Sequence, residues 1–331
     1  MSPEVRRLWL LAAVLLSLGA WLRLDGAMKF KPAGTDEYLY AAYTKYLSAH
    51  GLTAFPELVE HYIEAQQRRP GAVLPPLRAS YIICGVLVQW LTGWEEKACL
   101  NAVSAIFSFL MLPVGLLFAW RAAGPRLAVA TLALMVCAPL SLMMSRHAMI
   151  DVVVAFWALT ALWALWECLQ KPDEPRRLAA LAAVLAVLVT TKENSFFVIV
   201  GLGMIIVLNR WLKFGTVNRR LLLATAVGLL MGACGLVVLS GGIDRVITVY
   251  RLLVATAYNL PYSIETGDGP WQRYAFEQAL VSPLIFIFAL FTLARLDRSA
   301  RSQLFLAIFV LATYAIMASV KYGMNLRYTT M

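Results

Sequence analysis

Residues 77–93 read LRASYIICGVLVQWLTG, and whether this run crosses a membrane decides the layout of the whole chain. The run is apolar, but it is short, it follows Pro75-Pro76, and it carries Arg78 and Gln89. A helix that crosses the hydrocarbon needs about 20 apolar residues. Nine other runs qualify or come close: Leu8 to Leu24, Leu100 to Trp120, Leu127 to Ser145, Ile150 to Leu169, Leu178 to Thr191, Phe196 to Leu212, Leu221 to Ser240, Ala279 to Ala294 and Leu304 to Val320. Charge arbitrates. If residues 77–93 cross, the basic links Arg121 to Arg126, Lys171 to Arg177, Arg210 to Arg220 and Arg295 to Arg301 all fall outside, against the positive-inside rule. If the run dips into or lies along the membrane, all four links are cytoplasmic. The expectation is an all-α polytopic membrane protein with about nine crossings and one re-entrant or interfacial helix.

Composition agrees, since 61% of residues are hydrophobic, 15% are charged and the mean hydropathy is +0.71. These values lie far from those of soluble domains. The net charge of +10 sits mostly in short links, where it sets orientation, so no nucleic-acid partner is expected. Cys84, Cys99, Cys137, Cys168 and Cys234 lie in apolar stretches without metal-type spacing and read as small core residues. Leu8 to Leu24 follows Arg6-Arg7 with no small-residue cleavage site before Asp25, which suits an uncleaved anchor with a cytoplasmic N-terminus. No repeat or linker divides residues 1–331, so a single domain is expected.

On this topology the polar clusters share the outer face. Gly34-Thr35-Asp36-Glu37-Tyr38 follows the first crossing, and Tyr38, Leu39, Ala42, Tyr43, Tyr46 and Leu47 recur at helical spacing behind it. Thr35 is read as the N-cap of an interfacial helix. Asp36 and Glu37 are then either favourable charge in a first helical turn or, for Asp36, a general base at the membrane edge. Asp151, in Ser145-Arg146-His147-Ala148-Met149-Ile150-Asp151, begins an apolar helix, where a carboxylate is either a cap or a functional group. Arg146 and Asp151 are too far apart along a helix for a simple local pair. Lys192-Glu193-Asn194 interrupts an apolar stretch and reads as an exposed turn or a cavity lining.

Arg327-Tyr328, near Lys321, offers a phosphate ligand or an interfacial anchor, and Trp271, Arg273 and Tyr274 a sugar or phosphate contact or an aromatic belt. Glu57, Glu60, His61 and Glu64 share a helical face, read as solvated rather than as half of a metal site. No P-loop, nucleophile elbow or zinc-protease motif occurs, and Gly201-Leu202-Gly203 lacks a third glycine.

In order, these elements resemble the GT-C class of membrane glycosyltransferases, and within it family 39, the protein O-mannosyltransferase and aminoarabinose transferase group. The likeness is carried by Asp36-Glu37, Pro75-Pro76, the Ser-Arg-x-Ala-x-x-Asp element from Ser145 to Asp151, Thr191-Lys192, the Gly-Pro-Trp-x-Arg-Tyr element from Gly269 to Tyr274, and Asn-x-Arg-Tyr from Asn325 to Tyr328. It implies an inverting hexosyl- or pentosyltransferase that moves a sugar from a polyprenyl-phosphate carrier to a protein, lipid or glycan acceptor, on the extracytoplasmic side of the plasma (inner) membrane. It also implies Asp36 as base, with Glu37 supporting it or helping with a divalent metal, a requirement left open. Arg146, Lys192 and Arg327 become candidates for the donor phosphate, with Asp151, Arg273, Tyr274 and Tyr328 lining the donor site. The chain departs from the pattern at Asn101, where relatives carry Arg, and at Met331, beyond which relatives continue. It is therefore expected to be a short form or a piece truncated at the C-terminus. The reading from another class is a transporter or flippase of lipid-linked sugars, which would place buried charge near the bilayer midplane.

Overall fold

The computed structural model describes residues 2–27, 34–71, 73–259, 272–297 and 300–319. Fifteen α-helices and one short 3₁₀ turn, Leu52–Ala54, account for nearly all of the described chain. In order these are α1 (Pro3–Ala27), α2 (Thr35–His50), α3 (Phe55–Arg68), α4 (Ala79–Thr92), α5 (Glu96–Ala123), α6 (Pro125–Val136), α7 (Pro139–Ser145), α8 (Asp151–Gln170), α9 (Pro175–Thr191), α10 (Ser195–Leu212), α11 (Arg219–Ser240) and α12 (Ile243–Asn259). Helices Gln272–Val281, Pro283–Ala294 and Arg301–Ser319 follow. The expected all-α polytopic architecture is the one observed. Among the described residues, six helices are long and apolar enough to cross a membrane: α1, α5, α8, α10, α11 and Arg301–Ser319.

The run Leu127 to Ser145 is broken rather than continuous. Pro139 cannot extend α6, so α6 and α7 meet at an angle of 56° and make a seventh span only if taken together. The expected crossings at residues 178–191 and 279–294 are the shorter helices α9, of 17 residues, and Pro283–Ala294, of 12.

The decisive run forms α4, a helix of 14 residues. At 1.5 Å per residue it extends only about 21 Å, well short of a hydrocarbon core about 30 Å thick. Tyr81, near its start, reaches the Leu100 carbonyl and Ser104 on α5. The chain thus comes down to Arg78 and rises again along α4, leaving Trp90, Leu91 and Trp94 exposed at the far end. Tryptophans in that position suit a membrane–water interface.

The four basic links meet at one end. Arg121 and Arg177 both pair with Glu167 at the end of α8. Asn218 and Arg220 reach Asp173 in the next link, and Phe305 packs between Trp166 and Phe214. At the same end Trp9 stacks on Trp120, with ring centroids 4.4 Å apart. At the opposite end α2, α3, the start of α4, the 146–150 turn and α12 share one hydrophobic core, around Tyr40, Phe55, Tyr81, Ala148 and Val249. Small residues hold the helices between the ends together. A Cβ on Gly228 or Gly232 of α11 would come within 2.6 Å of an Ala182 or Ala186 carbonyl of α9, so this pair approaches backbone to backbone.

Single cysteines placed at Ala123 and Asp244, in a background lacking the native cysteines, test this layout in intact cells. An impermeant thiol reagent is expected to label the Asp244 position from outside and the Ala123 position only after the cytoplasm is opened. Labelling of both from the same side would contradict the arrangement.

Candidate active site at the non-basic end of the bundle

Helix α2 begins one residue earlier than its sequence suggests. Gly34, not Thr35, is the N-cap, because Glu37 folds back three residues and accepts the Gly34 N–H at 3.4 Å. This is the return half of a capping box, and it turns the Glu37 carboxylate into the protein. Its Oε1 accepts the Ala148 N–H at 3.0 Å and lies 3.0 Å from Nδ1 of His147. With its side chain fully buried, Glu37 ties the start of α2 to the 146–150 turn.

Beside this tie run two buried ion pairs. Lys192 Nζ donates to Asp151 Oδ1 at 2.7 Å, with the two side chains 2% and 1% exposed. Arg78, at the N-cap of α4, grips Glu193 through both arms of its guanidinium and donates a further bond to the Tyr40 hydroxyl. Ser80 donates to Thr191 at 2.8 Å and fastens the same turn. The Lys192-Glu193 turn therefore lines the protein interior rather than an exposed surface, and Asp151 is not the cap of α8, a place taken by Ile150.

Burial pushes the Tyr40 hydroxyl well above its ordinary value. Arg78 opposes that rise, while Glu193, Asp151 and Asp36 lie close enough to add to it. This places Asp36 with the buried pairs around one ring. Burial also acts to raise the Glu193 carboxyl, but Arg78, with Lys192, outweighs it and holds the group at about 2. Since that value lies below the ordinary carboxylate range, the pair contributes its full stability above about pH 4.5. The contribution is lost only as pH falls through about 2.

The other expected site residues are distributed differently. Arg146 turns toward α1, where Nη2 donates to the Leu22 carbonyl at 3.4 Å, and its Nε is buried without a hydrogen-bond partner. It shares the end of the bundle with Lys192, which donates to Asp151. Arg273 pairs with Glu277 one turn along its own helix, at 2.8 Å. Arg327 and Tyr328 lie outside the described residues, as does the side chain of Tyr274. Glu57, Glu60 and Glu64 face Tyr46, Arg245 and Arg68 respectively, as a solvated face does. Among the described residues no three His, Cys, Asp or Glu side chains gather. Glu37 is already committed to protein donors, so the described groups do not fit a metal ion.

Two residues escape the sequence reading. Arg78 stands out there only as a charge that disfavours a crossing. Arg23 is hidden inside an apolar run, yet it is fully buried. It donates to Ser108 at 2.9 Å and to the Met135 and Val136 carbonyls at 2.8 and 3.3 Å. An Arg within a membrane run is itself a signal, because such a charge persists only with partners.

No family model matches the sequence, and no curated protein sequence does. Solved structures do. ArnT from Cupriavidus metallidurans in the apo state superposes with a TM-score of 0.64 at 17% identity, over 99% of this chain and 57% of that one. The same protein bound to undecaprenyl phosphate gives 0.66 at 17%, over 97% and 57%. The oligosaccharyltransferase of Archaeoglobus fulgidus in complex with Zn and sulfate gives 0.61 at 14%, over 97% and 47%. The chain spans about half the length of these structures. Both proteins are of the GT-C class, and this chain shares their fold.

The Asp151–Lys192 pair makes a stability prediction. Asp151→Leu strands a buried cation and is expected to destabilise the protein by about 3–5 kcal/mol, whereas Asp151→Leu with Lys192→Met should recover most of the loss. Thermal unfolding in detergent checks it: equal loss in the single and double variants would mean that the two charges do not compensate one another.

Proposed function

We propose that the chain is the catalytic membrane domain of an inverting glycosyltransferase. It moves a sugar from a polyprenyl-phosphate carrier to an acceptor at the extracytoplasmic face of the plasma (inner) membrane. The observation that carries this reading is the gathering of Asp36, Asp151–Lys192, Arg78–Glu193 and Arg146 at the end of the bundle opposite the basic links. A fold shared with a protein solved with undecaprenyl phosphate supports the choice of donor. A transport path calls for polar groups near the midplane, whereas the buried ion pairs here stand at helix ends, so the enzyme is favoured over the flippase.

Inversion at the anomeric carbon requires a base on one side and a stabilised phosphate on the other. Asp36 sits on the first turn of α2, and its main chain is held by the Glu37 capping interaction. It is the proposed base. Lys192, held in place by Asp151, is the proposed positive charge for the donor phosphate. Arg146 brings a guanidinium with an unused, buried Nε. Arg327 completes the proposed phosphate set. Arg273, Tyr274 and Tyr328 remain proposed donor contacts. Arg78 and Glu193 hold the turn that presents Lys192.

In the full-length protein, Asp36→Asn keeps the shape of the side chain but cannot take the acceptor's proton. Turnover, followed by mass spectrometry as loss of the lipid-linked sugar, is expected to fall about 10²- to 10⁴-fold with donor binding retained. Near-normal turnover would move the base elsewhere. If Asp36 is only first-turn charge, the substitution costs well under about 1 kcal/mol and activity persists.

A further inference from the structure

Between α10 and α11 lies an apolar crevice that the proposed transfer does not use. The two helices are consecutive, yet α11 packs along α9 and α10 along the Arg301–Ser319 helix. Their parting leaves a half-open cavity of about 120 Å³, lined by Leu165 of α8, Leu185 of α9, Ile199, Gly203 and Ile206 of α10 and Leu229 of α11. Thr225, the polar side chain of the lining, already donates to the Leu221 carbonyl at 2.9 Å. Apolar cavities of about 150 Å³ take up a molecule the size of benzene.

Helices α8, α10 and α11 are each long and apolar enough to cross a membrane. Val207, one turn beyond Gly203, and Leu222, one turn before Thr225, are exposed, so the surround of the crevice suits hydrocarbon rather than water. An unfilled recess there forfeits dispersion contacts along its wall. Gly203 marks the same space. A Cβ added to it would meet nothing within 4 Å, whereas one on Gly201 would come within 2.6 Å of Thr313 Oγ1. Close packing therefore accounts for Gly201 but not for Gly203, and a glycine inside a helix weakens it unless the bare surface has a use.

Cations head the crevice. Positions 199, 203, 206 and 210 share one face of α10, which puts Arg210 one turn beyond Ile206, at the basic end of the bundle. From there to the start of α11 the sequence carries Arg210, Lys213, Arg219 and Arg220 and no acidic residue. Arg220 pairs with Asp173, and Arg210, Lys213 and Arg219 are exposed. Trp211, also exposed, suits the boundary between lipid and water. The positive-inside rule accounts for the charge of this link but not for an apolar crevice beneath it.

We propose that the crevice holds a segment of one acyl chain of an anionic phospholipid, drawn from the leaflet at the basic end. Arg210 meets its phosphate, and Lys213 and Arg219 add to the attraction. Basic residues beside a gap between membrane helices recognise such headgroups. An arginine near a helix end lays its stem along apolar surface and keeps its charge at the interface, so Arg210 joins the crevice to the headgroup. The site lies at the end of the bundle away from Asp36, and it stands or falls apart from the glycosyl transfer.

Native mass spectrometry of the purified full-length protein, with phosphatidylglycerol and phosphatidylcholine of the same chain length, tests this. Phosphatidylglycerol is expected to be retained in preference, and Arg210→Gln to reduce that preference about fivefold, the effect of one basic residue near an anionic surface. Gly203→Phe fills the crevice from a position with open space around it. It is expected to lower the retention of both lipids, with thermal unfolding reporting that the fold persists. Equal retention of the two lipids by the wild-type protein, or retention that Gly203→Phe leaves intact, is the behaviour of ordinary boundary lipid and would overturn the proposal. A preference that Arg210→Gln leaves intact would overturn it as well. If Gly203→Phe does not fold, the smaller Gly203→Val carries the same expectation.

Discussion

A charge below the surface of a membrane bundle must be balanced where it sits, and the site end of this protein is built on that constraint. Asp151 lies at the first position of α8, and Lys192 and Glu193 lie at the break between α9 and α10. None could be buried alone. Each is matched across elements distant in sequence, Asp151 with Lys192 and Glu193 with Arg78. The pairs therefore do more than neutralise one another, because they fix α4, α8, α9 and α10 in one register. The Pro75-Pro76 turn delivers Arg78 to its place, and Tyr40 closes the contact from α2. The same interactions that make the ions tolerable hold the surrounding helices.

A second instance lies at the break between α6 and α7. Pro139 ends the helical ladder there, so the last carbonyls of α6 have no partner within their own helix. Arg23 supplies it, donating to Met135 and Val136 and to Ser108 of α5. The bend and the buried arginine thus explain one another. A straight span would leave no carbonyls to satisfy such a cation, and at the bend Arg23 supplies a donor to the Val136 carbonyl and adds one to the Met135 carbonyl, which also accepts the Ala138 N–H. The bend turns α7 across the end of the bundle, which sets the 146–150 turn against Glu37.

What the sequence discloses about such a protein is governed by range. Hydropathy and link charge are local or additive, and they place the helices, the shortness of α4 and the gathering of the basic links. Pairing is different: Arg78 and Glu193 stand 115 positions apart, and no periodicity marks that they meet. Arg23 disappears into the mean hydropathy of its run, although its cost there was the clue. The start of α2 shifts from Thr35 to Gly34 because a glutamate reaching back to a backbone N–H outweighs the usual preference for a hydroxyl cap.

Charge balance also bears on the chemistry. Among the described residues of the site, the cations Arg78, Arg146 and Lys192 stand against the carboxylates Asp36, Glu37, Asp151 and Glu193, so this part of the site carries net negative charge before any phosphate arrives. A sugar–phosphate diester adds one negative charge, and breaking its bond to the sugar adds another to the departing phosphate. That second charge appears in the transition state, where a matching positive charge is worth most. In the proposed transfer, a proton lifted from the acceptor and kept on Asp36 removes one negative charge in the same step and at the same end of the bundle, so the change in local charge stays small. A base that released its proton to distant water would leave the departing phosphate to be stabilised by the fixed cations alone.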